Sequence, residues 1–125
     1  MSALRPRLVF LQAPRLESVV RLLLVIALLV HGPWNFLESG AIWWAAATRF
    51  PIELRWFVGA FEIIAAFCLI VGIGVRLISL GLVVIFFAAI TQHWSNGFSF
   101  QDGGWEIPFV YLVLSILLAW DQRRL

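Results

Sequence analysis

Long, continuous apolar runs separated by short polar or glycine-containing stretches dominate the pattern of this chain. A membrane hydrocarbon core of about 30 Å requires about 20 consecutive, mostly apolar helical residues. The runs are continuous, whereas the strands of a membrane β-barrel alternate apolar and polar positions. The pattern therefore predicts an all-α integral membrane four-helix bundle that forms a single domain over residues 1–125. Its helices are predicted over about residues 19–37, 56–75, 77–94 and 107–120, after an N-terminal segment, residues 1–17.

The connection between the first two predicted helices has an apolar centre, ESGAIWWAAATRFPIELR, over residues 38–55. An apolar stretch of this length beside a membrane favours a short interfacial helix over an extended loop. Pro51 restricts the backbone of the residue before it, so we expect the short helix to end ahead of this proline.

The composition agrees with a chain embedded in a lipid bilayer. Its residues are 62% hydrophobic and only 13% charged, with a mean hydropathy of +0.96, whereas soluble domains average about 45–50% apolar and 25% charged residues. No basic cluster with interleaved aromatic residues is present, so no nucleic-acid partner is expected. The single cysteine, Cys68, excludes an internal disulfide and a cysteine-based zinc site.

The positions of the basic residues predict the orientation of the bundle. Cytoplasmic loops of membrane proteins carry an excess of arginine and lysine. With a cytoplasmic N-terminus, the outer side holds only Arg49 and Arg55 of the nine basic residues. The cytoplasmic side then holds Arg5, Arg7, Arg15, Arg21, Arg76, Arg123 and Arg124. We therefore expect both termini, with the segment 1–17, to be cytoplasmic in a multi-pass protein of the cell inner (plasma) membrane.

Four ionisable side chains are candidates for catalysis because each predicted helix brings one to the outer half of the membrane. They are His31, Glu62, His93 and Glu106. Two histidines and two glutamates in one region could relay protons or bind a divalent metal. Each histidine could equally satisfy a carbonyl group at a helix end, and Glu106 could simply favour the start of its helix.

Glu62 is the most informative of the four, because it lies inside an apolar run. A charged side chain at membrane depth costs about 2.5–3.5 kcal/mol on insertion scales and usually marks a functional site. Gly59, Glu62 and Ala66 share one helix face, whose small residues allow close packing against a neighbouring helix. The alternative is a glutamate that only holds helices together through a hydrogen bond.

The segment QHWSNGFSFQDGGWE, residues 92–106, is the most polar and most aromatic part of the chain. It follows the third predicted helix and so lies at the outer end of the bundle. Trp94, Asn96, Phe98 and Trp105 in this segment are the candidate cofactor-binding residues. No close-spaced ligand motif is present, so no metal-binding residue is assigned.

The arrangement of these motifs resembles the DoxX family of small four-helix membrane proteins. Members of that family have an arginine early in the first helix and a His-Gly pair near its end, as in Arg21 and His31-Gly32. They also have a glutamate in the second helix before a glycine-bearing turn, as in Glu62 and GIGVR. The most specific match is QHWSNGF followed by GGWE, and the resemblance covers about residues 18–121.

The resemblance implies a function as well as a fold. The family is named for a small subunit of a thiosulfate:quinone oxidoreductase, which implies a quinone-interacting subunit of a membrane-bound oxidoreductase, with quinone as the cofactor. The sequence has no haem, flavin or iron–sulfur motif, so the electrons would come from a partner protein or an outside substrate.

Two other functions are compatible with the same residues. The histidines and glutamates could handle a metal or a small solute at the outer face. Alternatively, the chain could be a non-catalytic assembly subunit of a membrane complex. Small-residue helix surfaces favour association in membranes, so a partner protein or a homo-oligomer is expected in addition to the lipid bilayer.

Overall fold

The computed structural model describes residues 14–123 of the chain and the side chains of residues 17–120. This part of the chain contains α-helices, two short 3-10 helices and no strand, which confirms the predicted all-α class. The α-helices are α1 (Pro14–Trp34), α2 (Glu38–Ala47), α3 (Leu54–Val71), α4 (Val75–His93) and α5 (Glu106–Arg123). The predicted N-terminal segment 1–17 lies outside the described residues, except that residues 14–17 begin α1.

Three helices are long and apolar enough to cross a membrane, as judged from the described residues by length and composition. These spans are Glu17–Trp34, Leu54–Val71 and Val75–Asn96, and no more than 33% of any of them is buried inside the protein. The apolar part of α5, Glu106–Trp120, is shorter. Most of the apolar surface of the spans therefore faces outward, as a bilayer-embedded bundle requires.

Helix α1 ends three residues before its predicted boundary, because the chain reverses sharply after Trp34. The Asn35 side chain donates a hydrogen bond from Nδ2 to the His31 carbonyl oxygen over 3.0 Å, which satisfies a carbonyl at the helix end. Gly40 of α2 lies so close to Trp34 that a Cβ atom there would be 2.0 Å from the Trp34 carbonyl oxygen. This close approach folds the predicted short helix α2 back against the end of α1.

Helices α3 and α4 are joined by a tight glycine turn, as the GIGVR motif predicts. Gly72 and Gly74 have φ angles of 87° and 59°, in the left-handed region that side chains with a Cβ atom disfavour. The Arg21 guanidinium of α1 stabilises the same end of α3. Its Nε donates to the Leu69 carbonyl oxygen over 2.9 Å, and Nη2 also contacts Leu69 and Ile70 carbonyls.

The bundle consists of two closely packed helix pairs, α1 with α3 and α4 with α5. Contacts between the pairs are fewer and centre on fully buried leucines. These are Leu24, Leu28, Leu69, Leu82 and Leu118. Most of this core lies towards the Gly72–Gly74 turn, so the opposite ends of the two pairs are free to separate around a cavity.

Candidate functional site

A cavity of about 570 Å³ lies between the two helix pairs at the end where α1 and α4 finish and α3 and α5 begin. We call this the polar end of the bundle, and the space the polar-end cavity. All five helices contribute to its wall, together with Phe100, Gly103 and Gly104 from the connection between α4 and α5. Its lining is mostly apolar and aromatic, which is typical of sites for small organic molecules.

The few polar side chains in the wall include three of the four residues proposed from the sequence as catalytic. His31 from α1, Glu62 from α3 and His93 from α4 all line the polar-end cavity. Asn35, Thr48, Gln92 and Tyr111 also line it. The tertiary fold therefore brings groups separated by 62 positions in the sequence, from His31 to His93, around one cavity.

The position of Glu62 is set by a close crossing of α1 and α3. Gly32 and Gly59 face each other, and a Cβ atom on Gly59 would lie 2.9 Å from the Gly32 carbonyl oxygen. A Cβ atom on Gly32 would lie 3.3 Å from the Cβ of Glu62. Gly59, Glu62 and Ala66 are all buried, as expected for their shared small-residue face. Glycine thus lets the two backbones approach and holds the glutamate against α1.

The Glu62 side chain is buried, and its carboxyl group has no partner among the residues that the structure describes. The side chain is only 6% exposed, and it lies about 12 Å along α3 from the start of the helix, by the rise of 1.5 Å per residue. Among the described residues, no hydrogen bond or ion pair to its carboxyl group is found. The two carboxyl oxygens of Glu62 therefore remain accessible from the cavity. A buried carboxyl group without a partner is costly, so an additional molecule that offers a hydrogen bond would stabilise it.

His93 is held in a defined orientation at the last position of α4. Its Nδ1 donates a hydrogen bond to the Gly103 carbonyl oxygen over 2.8 Å, because a carbonyl oxygen can only accept. The imidazole also packs on the indole of Trp43, with 5.5 Å between ring centroids. In the neutral ring Nε2 therefore carries the lone pair, which can accept a proton or a hydrogen bond.

Tyr111 is a site residue that the sequence analysis missed. It is the only tyrosine of the chain, in an otherwise apolar stretch of α5, and this isolation was the available signal. Its ring packs on Phe86 at 5.4 Å between centroids, and its side chain lines the cavity. The phenolic hydroxyl adds a group that can both donate and accept a hydrogen bond.

Trp43 and Trp44 of α2 were likewise not singled out, because tryptophans beside a membrane are explained by the interface alone. Both line the polar-end cavity. The Trp44 Nε1 donates to the Pro51 carbonyl oxygen over 3.1 Å, which fastens α2 to the segment before α3. Helix α2 therefore forms part of the cavity wall.

Glu106 does not line the cavity, although it begins α5 close by. Its Oε2 accepts a hydrogen bond from the Phe100 backbone N–H over 3.0 Å, and its own backbone N–H donates to the Phe98 carbonyl oxygen over 3.0 Å. These bonds close the α4–α5 connection on itself. The carboxylate is placed to hold this loop.

The four candidate cofactor-binding residues lie in the same loop. The Trp105 indole stacks on Trp94 at 5.2 Å between centroids and contacts Phe98 edge-on at 4.7 Å. The Asn96 Nδ2 donates to the Gly103 carbonyl oxygen over 3.1 Å. None of the four lines the polar-end cavity, but Trp94 and Asn96 border a second pocket of about 420 Å³ on the surface beside it.

Among the side chains that the structure describes, no three histidine, cysteine, aspartate or glutamate residues are grouped as a metal site. The polar-end cavity therefore offers hydrogen-bonding and proton-accepting groups in an apolar setting.

Comparison with known proteins places the chain in a family. The DoxX family profile matches residues 16–94, which is more than half of the chain. An uncharacterized protein of Haemophilus influenzae is 28% identical over 101 residues, covering 68% of this chain and 67% of the relative. No solved structure matches the chain at a significant level. The matched region includes α1 to α4 with His31, Glu62 and His93, and the chain belongs to the DoxX family of membrane proteins.

Proposed function

We propose that this protein is a quinone-interacting subunit of a membrane-bound oxidoreductase and that the quinone ring binds in the polar-end cavity. One observation carries the proposal: the buried Glu62 side chain has no partner among the described residues and lines a mostly apolar cavity. The cavity volume of about 570 Å³ lies within the range of about 300–1,000 Å³ typical of ligand sites. A quinone is apolar apart from its two carbonyl oxygens, which match such a lining.

The bound quinone would supply two-electron chemistry, in which its two carbonyl oxygens take up two protons as the ring is reduced. The residues of this chain would manage those protons. Glu62 can donate a proton to one oxygen, or accept it back in the reverse direction. Once its Nε2 has taken up a proton, His93 can donate that proton to the other oxygen and accept it back, and the Tyr111 hydroxyl can hold an oxygen through a hydrogen bond.

The electrons would be delivered from outside the chain. The sequence contains no haem, flavin or iron–sulfur motif, so a partner protein or an external reductant would provide them. His31, which lines the cavity on an exposed part of α1, would connect the interior with such a donor.

The proposed site lies in the outer half of a plasma membrane. The excess of arginine near the two termini and the Gly72–Gly74 turn supports a cytoplasmic position for that end. The polar end would then face outward. A reductant reaching the site would do so from the outer face of the cell inner membrane.

Native mass spectrometry of the protein, extracted gently from its own membranes, tests the proposal. We expect a bound mass that matches a membrane quinone. Glu62→Leu removes the hydrogen-bonding group and should abolish that adduct. Glu62→Gln keeps a hydrogen bond and should retain the quinone but stop its reduction in membranes. Glu53 is exposed and outside the cavity, so Glu53→Leu and Glu53→Gln are matched controls that should behave as wild type.

Two results would contradict the proposal. The first is a wild-type protein that shows no quinone adduct even after added quinone. The second is an adduct that survives Glu62→Leu unchanged, because the carboxyl group would then have no part in binding. A divalent metal adduct in place of quinone would instead favour metal handling.

A further inference from the structure

The polar-end cavity is covered more fully on some sides than on others. Towards the end of the bundle it is covered by α2 and by the α4–α5 connection, through Trp43, Trp44 and Phe100. Rings of Trp34, Trp43 and His93 follow one another across this side, with 5.5 Å between successive centroids. A molecule arriving from the water would have to displace these aromatic contacts and the bond from His93 to Gly103.

The wall between α3 and α4 is thinner. These helices are consecutive in the chain but make far fewer contacts with each other than either makes with its own partner, α1 or α5. Phe57 of α3 and Val84 of α4 both line the cavity, yet they are 70% and 68% exposed. At these two residues the wall of the cavity is also the outer surface of the protein.

Two contacts limit this opening, one on the side of the Gly72–Gly74 turn (below) and one on the side of the polar end (above). Below it the Phe61 ring fills the space over Gly81, where an added Cβ atom would lie 2.6 Å from the ring carbon Cζ. Above it the Arg49 backbone N–H donates to Gln92 Oε1 over 2.9 Å, which ties the segment after α2 to α4. Between these contacts, Phe57 and Val58 of α3 and Val84 and Ala88 of α4 all line the cavity. We call this opening the α3–α4 window.

The deeper part of the window, at Val84, lies at the depth of the hydrocarbon chains in a membrane-embedded bundle. Val84 is nine positions before His93, which places it about 14 Å along α4 from the polar end at 1.5 Å per residue. Both window helices are apolar enough to span a membrane. The window therefore opens to lipid, not to water.

The window also leads directly to the unpartnered carboxyl group. Val58 and Glu62 both line the cavity and are four positions apart on α3, so they are neighbours on one helix face, with about 6 Å between Cβ atoms. A molecule that passes Val58 meets Glu62 within one helical turn. The geometry suits an amphiphile whose polar head reaches Glu62 while its hydrocarbon chain remains in the window.

We propose that the ligand of this cavity enters sideways from the bilayer through the α3–α4 window and keeps a hydrocarbon chain there when bound. The proposal rests on the proposed function in that it specifies a long-chain quinone over a water-soluble one. A lipid acyl chain has the same chemistry and would occupy the window in the same way. The experiment below separates the two sources.

The full-length protein in liposomes is labelled with a small lipophilic diazirine that dissolves in the hydrocarbon region, and labelled positions are mapped by mass spectrometry. Ala27 and Leu28 line the cavity but are only 6% and 1% exposed. Ile26 and Leu29, their neighbours on α1, are 53% and 40% exposed and provide an internal reference. We expect label at Ala27 and Leu28 in addition to Ile26 and Leu29.

Bulky side chains in the window should close it. Val84→Trp and, independently, Ala88→Trp should reduce the label at Ala27 and Leu28 severalfold and leave the label at Ile26 and Leu29 unchanged. Val110→Trp is the matched control, because Val110 is 45% exposed on α5 and does not line the cavity. This control should label as wild type does.

Absence of label at Ala27 and Leu28 in the wild type, or label that both window variants leave unchanged, would overturn the window. Competition by an added long-chain quinone, but not by its tail-less ring, would support both the window and the function. If only phospholipid chains compete and no quinone does, the window stands and the quinone function falls.

Discussion

The Nδ1 of His93 donates a hydrogen bond to the Gly103 carbonyl oxygen, 2.8 Å away. This bond joins the last residue of α4 to the loop that leads into α5, and it directs the ring against Trp43. The Nδ1 side of the imidazole therefore has a structural role, because it holds the loop. The other nitrogen, Nε2, remains available to a molecule in the polar-end cavity.

His93→Asn separates the two roles of this imidazole. The asparagine amide can still donate to Gly103, but it has no group in the place of Nε2. We expect the loop to keep its protection against hydrogen exchange. Quinone affinity should fall about 2- to 13-fold, the equivalent of one hydrogen bond of about 0.5–1.5 kcal/mol, as measured by quenching of tryptophan fluorescence.

His93→Ala is the companion variant and should lose loop protection as well as affinity. If His93→Asn binds quinone as tightly as wild type does, the histidine acts only through the loop.

Glu106 is predicted to act through loop structure and not through proton transfer. Its carboxylate accepts the hydrogen bond from the Phe100 backbone N–H. Glu106→Gln retains an accepting oxygen, so quinone turnover and loop protection should stay close to wild type. Glu106→Ala removes the acceptor and should increase hydrogen exchange at Phe100. A large loss of turnover in Glu106→Gln would show that an ionisable group is needed at this position.

The glycine crossing of α1 and α3 should tolerate no side chain. A Cβ atom on Gly59 would lie 2.9 Å from the Gly32 carbonyl oxygen and from Asn35 Cβ. Overpacking of this kind costs about 1–3 kcal/mol, which exceeds the gain of about 1 kcal/mol in helix propensity from glycine to alanine. Gly59→Ala should therefore unfold at lower denaturant concentration in detergent.

The adjacent residue, Ala60, is exposed on the same helix and gives the control. Ala60→Val adds two methyl groups towards lipid and should unfold close to the wild-type midpoint. Equal midpoints for Gly59→Ala and Ala60→Val would mean that the crossing can widen at no cost.

Arg21 is predicted to stabilise the end of α3. Its guanidinium donates to the Leu69 and Ile70 carbonyls and lies 3.9 Å from the Glu17 carboxylate. Hydrogen bonds to charged groups contribute about 1.5–3 kcal/mol each, so Arg21→Gln should lower the free energy of unfolding by about that amount. Lysine lacks the planar fork of donors, so Arg21→Lys should recover only part of the loss.

Arg76 is exposed near the same end and serves as the control. Arg76→Gln should change the free energy of unfolding little. If Arg21→Gln and Arg76→Gln are equally stable, the contacts of Arg21 with α3 contribute nothing.

Most of the architecture follows from local sequence features. Continuous apolar runs predict membrane helices because a spanning backbone must satisfy its own hydrogen bonds. The GIGVR turn was recognisable because two glycines permit left-handed backbone there. The end of α1 was placed three residues too late, since the apolar pattern continues through Phe36 and Leu37. The reversal depends on the contact of Gly40 with Trp34, which is not a local property.

Which residues line the cavity was less predictable than the end of the bundle at which they lie. The sequence indicated that His31, Glu62, His93 and Glu106 lie at one end of the bundle, because helix lengths fix depth. Depth alone does not say which way a side chain points. The structure directs the first three to the cavity and Glu106 to Phe100.

By itself, the sequence determined the helical class, the depth of the ionisable groups and the glycine face that carries Glu62, because each depends on spacing along one helix. Only the tertiary structure decided that α1 pairs with α3 and α4 with α5. That pairing leaves a cavity between the pairs and adds Tyr111 and Trp43 to its wall. Such features arise from how helices distant in sequence pack, which no single apolar run encodes.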